Sequence, residues 1–381
     1  MAFDCSSEQR LLRDALSSFL ADTYDPEARR KIVESSGGWS PDIWRRMATD
    51  LGILGLGFSP DWGGVGGDGL DQIPVMEAMG QALVVEPYLE TVILCGSLLR
   101  SSDSLLARQL AVAVTEGQAN LALGHLEGCG FRPYHIQATA QRLARGGWRL
   151  TGRKSVVIGA SWASHLLVVA RIDGNDFDRD GLGLFVIDIG TPGLELAAYP
   201  TIDGRRACDI TFALDVTDEA FLVEGAADAL DLALDGATAG LCAEAVGVMR
   251  RILGETHAYL SERRQFGVPL ATFQALQHQV ADMLVALELS SGQAYAAANG
   301  LDATARERAC AISAAKAFVG QAAHRMGQAA VQLHGGMGMT DELIIGHLFK
   351  RAIVIEAQFG SSDYHLNRYR MLKADARGRL H

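Results

Sequence analysis

The sequence is poor in several features that would announce a function. Its six cysteines, at 5, 95, 129, 208, 242 and 310, form no C-x-x-C pair and no Cys/His cluster at zinc spacing. They read as reduced core thiols of a cytosolic protein. Cationic surplus is also missing: 34 Lys and Arg face 45 Asp and Glu, a formal net charge of −11. Nucleic acid and anionic membranes are therefore poor candidate partners, and a polyanionic ligand would need local Arg and backbone N–H groups. No apolar run reaches the roughly 18 residues of a membrane span. The first residues, MAFDCSSEQR, lack the basic and apolar regions of a signal peptide. Internal repeats and low-complexity tails are absent. A formal G-x-G-x-x-G at Gly64, Gly66 and Gly69 has no strand before it and no βαβ unit around it. It reads as a loop between helices rather than a dinucleotide fingerprint.

What is present is length and apolar content. The 381 residues are 49% hydrophobic, enough for two or three domains and a large core. Periodicity divides the chain into three stretches. Residues 1–118 read as helical. Ser6 to Gln9 has the form of a capping box, and Leu11, Leu12, Ala15, Leu16, Phe19 and Leu20 recur at helical spacing. Ser40 and Pro41 begin a second helix, with Ile43, Trp44, Met47, Ala48 and Leu51 as its buried stripe. Helical character resumes from Met76 to Leu99, broken near Pro87.

From 119 to 224 the period shortens. Strands are expected at 119–126, 136–140, 148–158, 166–172, 184–189 and 210–214, punctuated by Gly, Asp and Pro. Arg179-Asp180-Gly181 reads as an exposed turn. Residues 225–381 are helical again, with long segments expected at 226–263, 272–298 and 302–334 that suggest a bundle. The small residues Ala239, Ala243, Gly247 and Gly254 would permit close helix contact. The expected architecture is α+β and multidomain: an N-terminal helical domain, a β-barrel-like middle domain and a C-terminal four-helix bundle.

Three motifs occur in order across the last third. They are Arg263-x-x-Phe266-Gly267, then Phe273-Gln274-x-x-x-His278, then Gln332-Leu333-His334-Gly335-Gly336-x-Gly338. Together they resemble the acyl-CoA dehydrogenase family of flavoproteins, whose order of domains is the one read above from periodicity. The likeness is greatest to the group of the pimeloyl-CoA dehydrogenase small subunit. It is carried by Phe3-Asp4, the run Glu8 to Leu12, Gly37-Gly38-Trp39-Ser40, the run Cys242 to Gly247, and DMLVALE from Asp282.

The resemblance implies an FAD-dependent oxidoreductase that dehydrogenates an acyl-CoA thioester, as in fatty-acid β-oxidation. Electron-transfer flavoprotein would be the acceptor, in a homo- or heterotetrameric assembly. It implies FAD between the β-domain and the bundle, completed by a dimer mate. Arg263 and Phe266 would lie on the mate's cofactor, Arg263 near the pyrophosphate, and Gln274 near the adenine end. Gln332, Gly335 and Gly336 would lie against its diphosphate and ribitol, with Ser361 and Asp363 also at the cofactor. An Arg fork and glycine-exposed N–H groups suit phosphate oxygens.

The same resemblance exposes a gap. The family keeps its catalytic Glu either in a Glu-Gly-Thr/Ser turn, here Phe359-Gly360-Ser361, or on the first long bundle helix, here Ala237. Neither residue can take a proton. The family's Trp-Ile-Thr/Ser segment beside the flavin reads Val156-Val157-Ile158. Glu244, two helical turns after Ala237, is the candidate for a displaced base, with Asp235 and Glu356 behind it. The leading expectation is a subunit that lacks the base and works with a Glu-bearing homologue. The alternatives are a self-sufficient dehydrogenase with a displaced carboxylate, a flavin monooxygenase on the same fold, and a scaffold that has lost flavin.

Overall fold

The computed structural model describes residues 6–377. The readings at Phe3, Asp4 and Cys5 lie outside the described residues. Helix α1 (Ser7–Thr23) starts as its sequence dictates, with the Ser6 hydroxyl accepting from Gln9 N and the Gln9 side chain returning to Ser6 N. Its buried face is narrower than the apolar spacing suggests. Leu16, Phe19 and Leu20 are buried, whereas Leu11 is 70% exposed. Helix α2 (Pro26–Glu34) is too charged to show an apolar face in sequence, yet its Arg29 is buried and donates to Leu83 O. Helix α3 (Pro41–Thr49) is capped by Ser40 and buries Ile43, Trp44 and Met47. The Gly64 loop follows, and a Cβ at Gly64 would stand 2.1 Å from Phe58 O, so glycine is required there by close packing.

Helix α4 (Gly69–Ala82) begins seven residues before the expected Met76 and runs through Pro74. Beyond the break, Leu89–Cys95 is wound as a π-helix leading into α5 (Gly96–Arg100), followed by α6 (Leu105–Thr115).

Eight strands then form one sheet: β1 (Leu121–Gly124), β2 (Thr139–Arg142), β3 (Trp148–Ile158), β4 (His165–Arg171), β5 (Leu182–Asp188), β6 (Leu194–Pro200), β7 (Arg206–Val216) and β8 (Phe221–Glu224). The order is β6-β7-β3-β2-β4-β5-β8, with β1 parallel to β4. Its core packs Leu150, Leu166, Val168, Phe185, Ile210 and Phe212. Strands β6 and β8 end the hydrogen-bonded path, which is where sequence patterning is weakest. The Arg179 segment is more than an exposed turn: the guanidinium pairs with Asp228 and Asp231 and lies over the Tyr134 ring.

Helices α7 (Ala227–Glu262), α8 (Gln274–Asn299) and α9 (Ala305–His334) match the three long helical segments, followed by α10 (Ile344–Ala357) and α11 (Ser362–Arg377). By length and composition α7 is apolar enough to cross a membrane, but 89% of that stretch is buried within the protein, as a core helix is.

Packing groups the residues into two bodies. One holds residues 31–68 and 85–237, and its centre is the sheet. The other joins residues up to Arg30, Gly69–Val84 and Thr238 onward. In this second body α4 crosses α7 through glycine. A Cβ at Gly80 would stand 2.1 Å from Glu244 O, and one at Gly247 would stand 2.0 Å from Glu77 O. Gly254, also read as a contact glycine, has nothing within 4 Å of its Cβ position. Of the cysteines, Cys95, Cys208 and Cys242 are buried thiols, whereas Cys129 is exposed.

Each body carries a histidine that burial keeps neutral. His125 bonds Pro133 O through Nε2 and is pushed down to about 4, and His365 is pushed down to about 3. An unfolded His takes its proton near pH 6.5. Both folded pKa values are depressed, so the unfolded chain binds more protons between pH 6.5 and about 4. The stability these groups supply is complete above pH 6.5 and lost as pH falls, on the order of 3 kcal/mol for His125 and of 5 kcal/mol for His365. Denaturation midpoints should therefore drop between pH 6.5 and 4, and His125→Asn should flatten that dependence. A midpoint level across the window would contradict the assignment.

Candidate active site

The motif residues that the family resemblance assigns to the cofactor, from Arg263 to Asp363, lie in the body that contains the bundle, whereas the flavin-side segment Val156-Val157-Ile158 lies in the sheet body. Two short strands, β9 (Arg264–Gln265) and β10 (Val268–Pro269), form a hairpin between α7 and α8. Phe266 and Gly267 fill its two-residue turn with φ of 53° and 81°. Positive φ at both centre residues is what a type I′ hairpin requires, so the F-G of the first motif is turn chemistry. Asn usually takes the first position. Phenylalanine there is strained, and its ring stands 89% exposed, touching Phe273 edge-on at 6.2 Å.

Arg263 precedes the hairpin and is exposed, and its guanidinium has no hydrogen-bond or ion-pair partner among the described residues. Gln274, Gln332 and Asp363 are likewise exposed, their side chains unengaged among the described residues. Gln332 lies near the end of α9, where Gly335 turns the chain with φ 60° and ψ −142°. A Cβ added at Gly335 or Gly336 would meet nothing within 4 Å. The two glycines leave room for a ligand to approach the backbone, and the Gly335 N–H itself is bonded to Gln332 O. Tyr259, one turn before Arg263, stacks on His334 at 4.4 Å and donates to its carbonyl. That contact joins the base of the hairpin to the glycine turn.

The third segment is the turn after α10. Phe359 has φ 57° and Gly360 φ 105°. The Ser361 hydroxyl accepts from Tyr364 N. Glu356, one of the displaced-base candidates, accepts from Ser362 N at 2.8 Å and so serves the turn itself.

Glu244 is the other carboxylate with a defined task. Both of its oxygens accept from the Arg351 guanidinium, each at 2.6 Å, and the two side chains are 1% and 3% exposed. A carboxylate clamped this way holds its charge against a fixed cation and has no open lone pair of good geometry for a substrate proton. Asp235 is buried and engaged in interactions of its own, and Ala237 is fully buried.

In the sheet body, β3 carries a bulge between Lys154 and Val157. Val156 sits in it with φ 54°, half exposed, its N–H bonded to Asp209. A β-branched residue in that conformation is an outlier that the surroundings must enforce. The described chain has four non-glycine residues with positive φ. Three of them, Val156, Phe266 and Phe359, fall in the segments that the resemblance singles out. No sequence signal at these positions announces the strain.

The chain matches "Acyl-CoA dehydrogenase, N-terminal domain" over residues 6–105, the middle domain of that family over 120–214 and its C-terminal domain over 224–371. The chain belongs to the acyl-CoA dehydrogenase family. The acyl-CoA dehydrogenase IpdE2 of Mycolicibacterium smegmatis is 29% identical over 91% of this chain and 93% of its own length. Among solved structures, a variant of the Tcur3481-Tcur3483 steroid ACAD is similar with a TM-score of 0.84 at 27% identity, covering 97% of this chain and 99% of that one. The FAD complex of PigA is similar with a TM-score of 0.87 at 25% identity, covering 97% and 98%. Family membership makes the protein an oxidoreductase that acts on CH–CH bonds.

The unengaged Arg263, the protruding Phe266 and the open glycines at 335–336 suit a ligand that is both polyanionic and aromatic, as FAD is. Losing a charge-assisted contact costs roughly 1.5–3 kcal/mol. Arg263→Ala should therefore lower FAD retention by roughly one to two orders of magnitude, and Arg264→Ala should lower it far less. Equal flavin content in the two purified variants would contradict the role given to Arg263.

Proposed function

We propose that this chain is an FAD-dependent acyl-CoA dehydrogenase subunit that supplies frame and cofactor contacts, while a homologous Glu-bearing subunit supplies the base. α,β-Dehydrogenation takes a proton from Cα and a hydride from Cβ of the thioester. When bound, FAD supplies the hydride acceptor. Arg263 and Gln332 would hold its phosphates, Gly335 and Gly336 would let it approach the backbone closely, and Phe266 and Gln274 would supply its remaining contacts across the subunit boundary.

The observation that carries the reading is the state of the two base positions. Phe359 keeps the left-handed backbone of a functional turn but has no ionisable group. Ala237 is buried and inert. The nearest substitute, Glu244, is closed onto Arg351. Conformation has been kept where the acid is gone, which suits a chain retained for assembly. The two-protein name of the Tcur3481-Tcur3483 steroid ACAD supports a heteromeric arrangement. Electron-transfer flavoprotein is the acceptor that fits such a subunit.

The test is co-expression with candidate Glu-bearing homologues, followed by flavin stoichiometry and an acyl-CoA screen with an artificial electron acceptor. Activity confined to a heteromeric complex is the expected result. Full activity of this chain alone would overturn the reading.

A further inference from the structure

The turn at 356–362 is gripped from one side by buried groups that no part of the proposed chemistry uses. Lys316 Nζ donates to Glu356 O at 2.8 Å and to Gly360 O at 2.7 Å. The carbonyl between them in the chain, Phe359 O, is bonded by His365 Nε2 at 3.0 Å. A carbonyl only accepts, so Nε2 carries the proton. Nδ1 is then free to accept from the Ser313 hydroxyl at 3.4 Å. This is a neutral imidazole with both nitrogens committed, in keeping with its burial.

Lys316 is 0% exposed, and burial holds its pKa down to about 8. Even as a neutral amine it keeps two N–H groups, one for each carbonyl. Ser313, Lys316 and Gly320 lie three and four residues apart on one face of α9. A Cβ at Gly320 would stand 3.0 Å from Ser362 Oγ. At Gly360 a Cβ would stand 2.6 Å from the Tyr364 ring. Glycine at both places lets the turn sit down on that face.

Three carbonyls of one five-residue stretch are thus fixed by two side chains, around a residue whose φ of 57° an L-residue seldom adopts. A left-handed residue aims its side chain away from where a right-handed one would. Without the grip, Phe359 would relax to negative φ and its ring would swing elsewhere.

We infer that Lys316 and His365 are positioning residues whose task is to hold position 359 in the left-handed conformation, making the Phe359 ring a fixed determinant of which acyl group binds. The inference rests on the reading above that this turn faces the acyl thioester. The frame is indifferent to the side chain it presents: an acid there would be a base, and the aromatic ring is a wall. A wall at that point selects acyl groups by shape and apolar contact, without proton transfer.

The first experiment is fluorine NMR of the FAD-loaded complex labelled with 4-fluorophenylalanine, with Phe185 in the sheet core as an internal control. The Phe359 signal should be a single line. Lys316→Met should split or shift it while the Phe185 line stays, and an unmoved Phe359 line would overturn the grip. If Lys316→Met fails to fold, His365→Leu, which removes the bonds to Phe359 O and to the Ser313 hydroxyl, takes its place.

The second experiment titrates octanoyl-CoA against flavin absorbance in a double-mutant cycle. Lys316→Met alone should weaken binding roughly tenfold with FAD stoichiometry unchanged. In a Phe359→Gly background, with no ring left to aim, it should change binding less than about twofold. Equal losses in both backgrounds would make Lys316 merely structural and overturn the inference. Absence of any thioester response in the wild-type complex would instead overturn the proposed function and the specificity role with it, whatever the fluorine spectra show.

Discussion

Loaded with FAD but without a partner, the chain should reduce its flavin with acyl-CoA roughly 10²–10⁴-fold more slowly than the heteromeric complex. That range is the contribution of a positioned general base, and on the proposed reading only the base is missing. The α-proton of a thioester is acidified by the carbonyl, but water is a poor acceptor for it at neutral pH. Phe359→Glu puts a carboxylate into a turn whose carbonyls are already held by Lys316 and His365. It should recover part of the lost rate with the chain alone. Ala237→Glu is the weaker restoration, since it introduces a charge at a position with no exposed surface. The assay is anaerobic flavin bleaching with a panel of acyl-CoAs. Rapid bleaching by the unmodified chain would sink the partner-subunit reading. Loss of that bleaching in Glu244→Gln, with FAD still bound, would then install Glu244 as the base.

The second large effect concerns stability. Glu244→Ala should destabilise the bundle body by about 3–5 kcal/mol, the cost of leaving one member of a buried pair uncompensated. Arg351 would remain, 2% exposed, with its principal counter-charge removed. The compensating double replacement, Glu244→Leu with Arg351→Met, should recover most of the loss, because packed apolar groups of similar volume replace such pairs at little cost. Thermal midpoints of the four proteins of the cycle measure this. A Glu244→Ala midpoint within experimental error of the parent would mean that the pair is not closed in solution.

Legibility in the sequence followed how local each determinant is. The capping box at Ser6 and the Ser40-Pro41 start were readable because their partners lie within three residues. Strand β3 was readable to its ends, Trp148–Ile158, because Gly146-Gly147 stands before it and its residues carry strand propensity. Strand β6 was not, because LELAAYP lies at the sheet margin, carries no β-branched residue and buries none of its side chains. Helix α4 extends seven residues beyond its expected start, through a Pro74 that helix propensity alone would place outside a helix interior. The hairpin at 264–269 was recognised as a motif but not as a hairpin, since Phe stands where Asn would give the signal. The site was legible only as far as motifs reach. Glu244 and Arg351 are 107 residues apart, and Lys316 and Gly360 are 44 apart. Such pairings are decided by which helix faces meet, and an Ala-rich helix shows no mark of them.

The glycine crossing of α4 and α7 has a consequence for how the protein is made. Residues 69–84 leave the ribosome early, but the helix surface that Gly80 packs on belongs to residues 244–248. At roughly 5–20 residues per second, the interval between the two is on the order of ten to thirty seconds. Through that interval α1 and α4 await their seat, while residues 85–237 already have every strand of the sheet. Birth order and packing order therefore diverge: a segment synthesised before the sheet is sheltered only after it. Holdase chaperones acting on the nascent chain would find their substrate there.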